Sequence, residues 1–160
     1  MKVYYSKCRN ANLAINRKYF SKLVCKAIEF AGIHTYESSA IIINFVSKKQ
    51  ISQINSEYMK HEGVTDVISF SYMTEDCIES EENIIAELFI CVSKAEIEAR
   101  QRKIDFAQEL ILYVVHGILH IAGYDDLDEN SRRKMRKAEA NCMKELTKIS
   151  SLNSIIKQRG

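Results

Sequence analysis

From Leu110 to Ile121 the chain is apolar almost without a break, interrupted only by Gly117 and by two histidines, His116 and His120. A helix that is apolar all round is enclosed rather than surface-lying. The rest of the chain must therefore be layered around a buried helix running from about Asp105 to Ala122. The two histidines are four residues apart, a little over one turn at about 3.6 residues per turn, so both imidazoles leave one face. Burying two imidazoles is costly unless each finds a partner. They are either hydrogen-bonded core residues or a pair that grips one ion, and in the second case the helix must open that face onto a cleft. Gly123 can take the left-handed conformation that ends a helix and turns the chain back. Asp125 and Asp126 arrive just after that turn, and one of them can supply a third ligand. Asp125 can instead serve the turn, and Asp128 is placed to cap the following helix. Two histidines and one carboxylate, with a position left for water, is a ligand set of catalytic zinc.

The flanking segments supply the enclosing layers. Residues 2–8 are rich in strand formers and read as an edge-like strand. After a cap at Asn16, apolar residues at Phe20, Leu23, Val24, Ala27 and Ile28 mark an amphipathic helix that Gly32 stops. Ala40–Val46 reads as a strand covered on both faces. Ser47 and Gln50 have capping-box spacing and open a short helix that ends by Gly63. Thr65–Ser71 is a loop entering a strand, the acidic stretch 74–83 a solvated loop, and Ile84–Val92 a further strand. Ser93 and Glu96 suggest a second capping box, opening a helix to about Gln101. A last helix runs from Asp128 to about Leu146, with Met135, Ala138, Cys142 and Leu146 facing inward. Arg132, Arg133, Lys134, Arg136 and Lys137 crowd its first half, as a solvated face or as a surface for RNA phosphates. This order predicts an α/β (α+β) fold, a small mixed four-stranded sheet packed on a buried central helix. Residues 1–150 form a single metal-hydrolase domain in this reading, and 151–160 a loose polar C-terminal tail.

Composition narrows the function classes. The net charge of +2 is too small for a protein that coats nucleic acid by bulk electrostatics, so a nucleic-acid partner must meet a local patch. The five cysteines are widely spaced with no C-x-x-C pair, which argues against disulfides and a thiolate zinc site. Cys91 and Cys142 fall at apolar-patterned positions. No apolar run approaches the ~20 residues that span a bilayer, and no leader pattern is present. The expectation is a cytoplasmic protein with no membrane partner.

A metal held by two histidines and a carboxylate points to hydrolysis. The spacing H-x-x-x-H-x-x-G-x-x-D resembles the zinc-protease pattern, where a Glu after the first His is the general base. Here that position is Gly117, which accepts no proton. A zincin-like scaffold without that base fits peptide hydrolysis poorly. Phosphodiester cleavage in RNA leans on a metal and cationic groups to stabilise transition-state charge, and a dedicated carboxylate is less necessary.

The stretch His116-Gly-Ile-Leu-His120-Ile-Ala-Gly-Tyr-Asp125-Asp126 resembles the H-G-x-L-H-x-x-G-Y-D-H signature of the YbeY family of rRNA-maturation metallo-endoribonucleases. Asn55–Tyr58, Thr65–Phe70 (similar to T-D-V-L-S-F) and Ala86–Cys91 (similar to a G-D-I-x-I-C strand) extend the likeness over about residues 40–146. The resemblance implies one zinc ion per chain on His116, His120 and Asp126. It implies single-strand-specific cleavage of RNA in the maturation of the small-subunit rRNA 3′ end and in ribosome quality control. Single-stranded rRNA and the ribosome or its proteins would be the partners, and DNA would not. Three positions depart from the family pattern. Asp126 stands for the third histidine, bringing a harder, negative ligand. Met59 stands for an arginine thought to hold RNA, leaving Lys60 or His61 as candidate substrate contacts, and Glu87 stands for an aspartate. The alternatives are a non-catalytic metal-binding ribosomal module and a zincin-type metallopeptidase.

Overall fold

The computed structural model describes residues 1–6, 13–59, 63–73 and 83–156. Lys60, His61, Cys8, Cys77 and nearly all of the expected acidic loop lie outside the described residues. Among the described residues four strands, β1 (Lys2–Ser6), β2 (Ser39–Val46), β3 (Val67–Ser71) and β4 (Asn83–Cys91), form one sheet in the order β1-β2-β4-β3. β1 and β4 both run parallel to β2, whereas β3 is antiparallel to β4. The sheet is mixed, and β1 lies at its edge, as its sequence implied. Five α-helices among the described residues join them: α1 (Arg17–Phe30), α2 (Lys48–Ile54), α3 (Val92–Arg102), α4 (Phe106–Ile121) and α5 (Glu129–Thr147).

The strand patterning divides the core. Ile41, Ile43 and Phe45 of β2 and Ala86, Leu88 and Ile90 of β4 point to one face, where α1, α4 and α5 bury their apolar sides. Val46, Ile68 and Cys91 point to the other face and meet Ile51 of α2. α4 is the enclosed element, with Leu110, Ile111, Val114, Val115, Ile118 and Leu119 all at most 1% exposed. The only polar residue of α4 buried to that degree, Glu109, was not singled out from the sequence. It is fully buried, with Arg102 Nη1 of α3 at 3.3 Å.

Side-chain caps open two of the helices, α2 and α5. Ser47 and Gln50 form the reciprocal capping box, and Asp128 accepts from the N–H groups of Asn130 (2.8 Å) and Ser131 (3.0 Å). A single π-helical turn, Asn55–Met59, extends α2. Two expectations are corrected. The Ser93 capping box does not form: β4 runs directly into α3, which opens at Val92 with Cys91 in the cap position and no side-chain cap bond. The residues after 150 do not form a loose tail as far as they are described. Leu152 and Ile155 sit in a short 3-10 turn, 8% and 0% exposed. The N–H of Asn16 donates to the carbonyl of Ile155 at 2.6 Å, and Asn153 Nδ2 donates to Asp105 at 2.9 Å. Scattered apolar residues in a polar-looking segment suffice to dock it once the start of α1 offers a seat.

Candidate metal centre

The last turns of α4 and the loop that follows build the site. Ile118 to Tyr124 close a Schellman arrangement: the N–H of Gly123 donates to His120 O, and the N–H of Tyr124 to Leu119 O, both at 3.0 Å. Gly123 makes this possible at φ +91°. The reversal brings the Tyr124 carbonyl to 3.0 Å from His120 Nδ1. It then sends Asp125 into a turn, where Oδ1 accepts from the N–H of Leu127 at 3.0 Å. Asp126 is the carboxylate that comes back over α4, its oxygens 3.9 Å from His116 Nε2 and 4.0 Å from His120 Nε2. Arg132 ties this loop to α5, Nη1 donating to the carbonyls of Asp126 (3.1 Å) and Leu127 (3.0 Å).

The imidazoles face each other edge to face, Nε2 to Nε2 at 2.9 Å. A carbonyl oxygen only accepts, so His120 Nδ1 carries the hydrogen it shares with Tyr124. His116 Nδ1 lies 2.6 Å from Oε1 of Glu139 on α5, the contact that orients a metal-bound histidine. With both Nδ1 atoms donating, the two Nε2 lone pairs point at one another, an arrangement that requires a cation between them. That cation is a proton or a metal ion. Burial disfavours a charged His116, but the hydrogen bond and charge of Glu139, aided by Asp66 and Asp126, outweigh it and hold this imidazole above its usual range. Ligand atoms around a tetrahedral zinc stand about 3.4 Å apart, and the three separations of 2.9, 3.9 and 4.0 Å bracket that value. The donor set therefore fits a metal ion: His116, His120 and Asp126 could hold one, and they are the sole such cluster among the described residues.

A cavity of about 520 Å³ opens over the cluster between the loop 125–127 and the start of β3. A second, of about 250 Å³, lies on the α5 side and is lined by Glu139, Arg132 and Arg136 among others. The site is thus an open, polar cleft.

A sequence model of the family described as Endoribonuclease YbeY matches residues 5–147. The chain belongs to the YbeY family. Among YbeY relatives, that of Chlorobium luteolum is 34% identical over 81% of this chain and 91% of its own length. That of Macrococcus caseolyticus is 33% identical over 78% and 83%. Both carry the name Endoribonuclease YbeY. The solution structure of TM1509 from Thermotoga maritima superposes with a TM-score of 0.58 at 24% identity, covering 93% of this chain and 91% of that one, and shares the fold.

Against the YbeY signature, the structure separates the two aspartates, Asp126 joining the histidines and Asp125 serving the turn. Glu87 does not belong to the cleft. It points to the opposite face of the sheet, accepting from Asn44 Nδ2 (2.7 Å) and the Tyr72 hydroxyl (3.0 Å). The sequence reading missed Glu139. A signal for it existed: it is an acidic residue one turn after Met135, beside the inward stripe of α5. It also missed Asp66, which lines both cavities.

Proposed function

We propose that this chain is a metal-dependent endoribonuclease that cuts single-stranded RNA, with His116, His120 and Asp126 holding one zinc ion. Its setting is the cytoplasm, in maturation of the small-subunit rRNA 3′ end and in ribosome quality control. Its partners are rRNA and the ribosome rather than DNA or a membrane. The observation that carries the reading is the convergence of the His116 and His120 Nε2 atoms and the Asp126 carboxylate in an open polar cleft of a YbeY-family chain. A bound zinc would supply Lewis acidity at the phosphate. Arg132 and Arg136 line the adjoining cavity and offer positive charge to a phosphodiester. Tyr124, 39% exposed, offers a ring face to an unstacked base, the mode by which single-stranded RNA is recognised.

A peptidase is disfavoured by packing as well as by sequence. Gly117 carries no proton acceptor, and a Cβ there would lie 2.8 Å from Leu88 Cδ2, so a side chain at this position would require Leu88 to shift.

The test is cleavage of unstructured and duplex RNA by the zinc-loaded full chain, with bound metal measured by mass spectrometry. Cleavage confined to unpaired RNA, lost on chelation and in His120→Ala, is expected. RNA binding without cleavage would make the protein a non-catalytic metal-binding module.

A further inference from the structure

Cleaving a phosphodiester requires that the attacking hydroxyl lose its proton, and a positioned carboxylate is a common acceptor. The helix α4 cannot provide one beside His116. The Cβ position of Gly117 is closed by Leu88 Cδ2 at 2.8 Å and by Val67 Cγ2 at 3.1 Å. Val67 is the first residue of β3, and the residue before it is Asp66. β3, which shares the packing against Gly117 with Leu88 of β4, thus carries a carboxylate at its mouth.

Asp66 stands where the two cavities meet. Among the described residues only Asp66, His116 and Asp126 line both, so it shares the larger cavity with all three candidate ligands and the smaller with two of them. It is nevertheless outside the ligand cluster. Its orientation is fixed. The backbone carbonyl accepts from the N–H of Cys91 at 2.8 Å, tying it to β4. Oδ1 accepts from the N–H of Val67 (3.0 Å) and the Thr65 hydroxyl (2.9 Å). Among the described residues nothing donates to Oδ2. One oxygen is thus spent on holding the carboxylate and the other is uncommitted. Burial raises the carboxyl's pKa, but the Thr65 hydroxyl, the charge of Lys94 and the backbone N–H groups outweigh it and keep Asp66 below the usual carboxylate range. It is ionised at neutral pH and able to accept.

We propose that Asp66 is the proton acceptor of the cleavage reaction, acting through Oδ2 on the hydroxyl that attacks phosphorus, whether of water or of the ribose 2′ position. This rests on the reading that RNA is cut at this centre. The O–H bond of the nucleophile breaks and its proton passes to Asp66, while its electron pair forms the new P–O bond. The P–O bond to the departing ribose oxygen breaks, that oxygen takes a proton from solvent water, and Asp66 returns its own proton to solvent.

Asp66→Asn keeps an acceptor for Val67 and Thr65 and removes the basic oxygen; Asp66→Gly leaves room for an external carboxylate. In the zinc-loaded full chain, Asp66→Asn should keep its metal stoichiometry, its Tm and its Kd for an RNA oligonucleotide, while kcat falls by about 10²–10⁴-fold. Formate should restore part of the activity of Asp66→Gly and none to Asp66→Asn, a rescue that a structural role would not give. Should Asp66→Asn fail to fold, Asp66→Gly with formate and Asp66→Glu, expected to retain more activity than Asp66→Gly, decide the matter. A kcat within tenfold of wild type, loss of metal from Asp66→Asn, or no rescue of a folded Asp66→Gly overturns the assignment. Wild-type protein that binds zinc but cuts no RNA overturns the endoribonuclease reading and this one with it. Wild-type cleavage with an indifferent Asp66→Asn overturns this one alone.

Discussion

His116 Nδ1 and Glu139 Oε1, on α4 and α5, lie 2.6 Å apart, and this contact fixes which face of the His116 ring looks into the cleft. Carboxylates behind a metal-binding histidine set its tautomer and raise its basicity. Glu139→Gln should weaken zinc affinity by about 10–100-fold without unfolding the chain, as read by competition with a chromogenic chelator.

Metal and proton compete for His116 Nε2. Its protonated form persists above the ordinary imidazole value of 6.5, because Glu139 and the nearby carboxylates together outweigh burial. Zinc affinity should therefore begin to weaken on acidification while the pH is still above 6.5. In Glu139→Gln the onset should move to lower pH. Titrations of zinc across a pH series check both.

The two neighbouring aspartates should behave differently. Asp126→Ala removes a ligand and should cost the bound metal, whereas Asp125→Ala removes a turn bond and should leave at least a stoichiometric ion at saturating zinc. Metal content after desalting distinguishes them, and equal losses in both variants would contradict Asp126 as the third ligand.

Gly117 is required by packing. Alanine usually gains about 1 kcal/mol over glycine inside a helix, but the added methyl would press on Leu88, which is fully buried, and on the stiff side chain of Val67. Overpacking of this kind costs about 1–3 kcal/mol, so Gly117→Ala should be net destabilising. A lower Tm by a few degrees is expected, at about 2–4 °C per kcal/mol for a chain this size.

Burial lifts the pKa of Glu109 above its ordinary value of 4.5, against the opposing charge of Arg102. A carboxyl raised on folding stabilises the fold fully below 4.5 and loses that contribution as pH rises through its folded pKa. The Tm advantage of wild type over Glu109→Gln should accordingly shrink as pH rises from 4.5. An advantage that grows over that interval would mean that Arg102 holds the carboxylate charged.

The helices and strands were legible because their signals are local. The apolar run of α4, the Ser47–Gln50 box and the Asp128 cap each involve residues within a few positions of one another. The same holds for the histidine pair, since a spacing of four places two side chains together on any α-helix. The Ser93 box failed because its spacing says nothing of the strand that runs straight into α3. The tail was misjudged because Leu152 and Ile155 are buried by a partner far away in sequence.

By itself the sequence determined that an enclosed helix presents two imidazoles on one face and that a glycine turn returns two carboxylates toward it, because helical periodicity and left-handed glycine are properties of adjacent residues. Only the tertiary structure set Glu139 behind His116 and brought Asp66 to the junction of the cavities, and it placed Asp126, which the family signature had already indicated, over the histidines while Asp125 served the turn. Those meetings join α4 to α5 and to β3, residues far apart in sequence that only the packing of helices and sheet brings together, which no local pattern encodes.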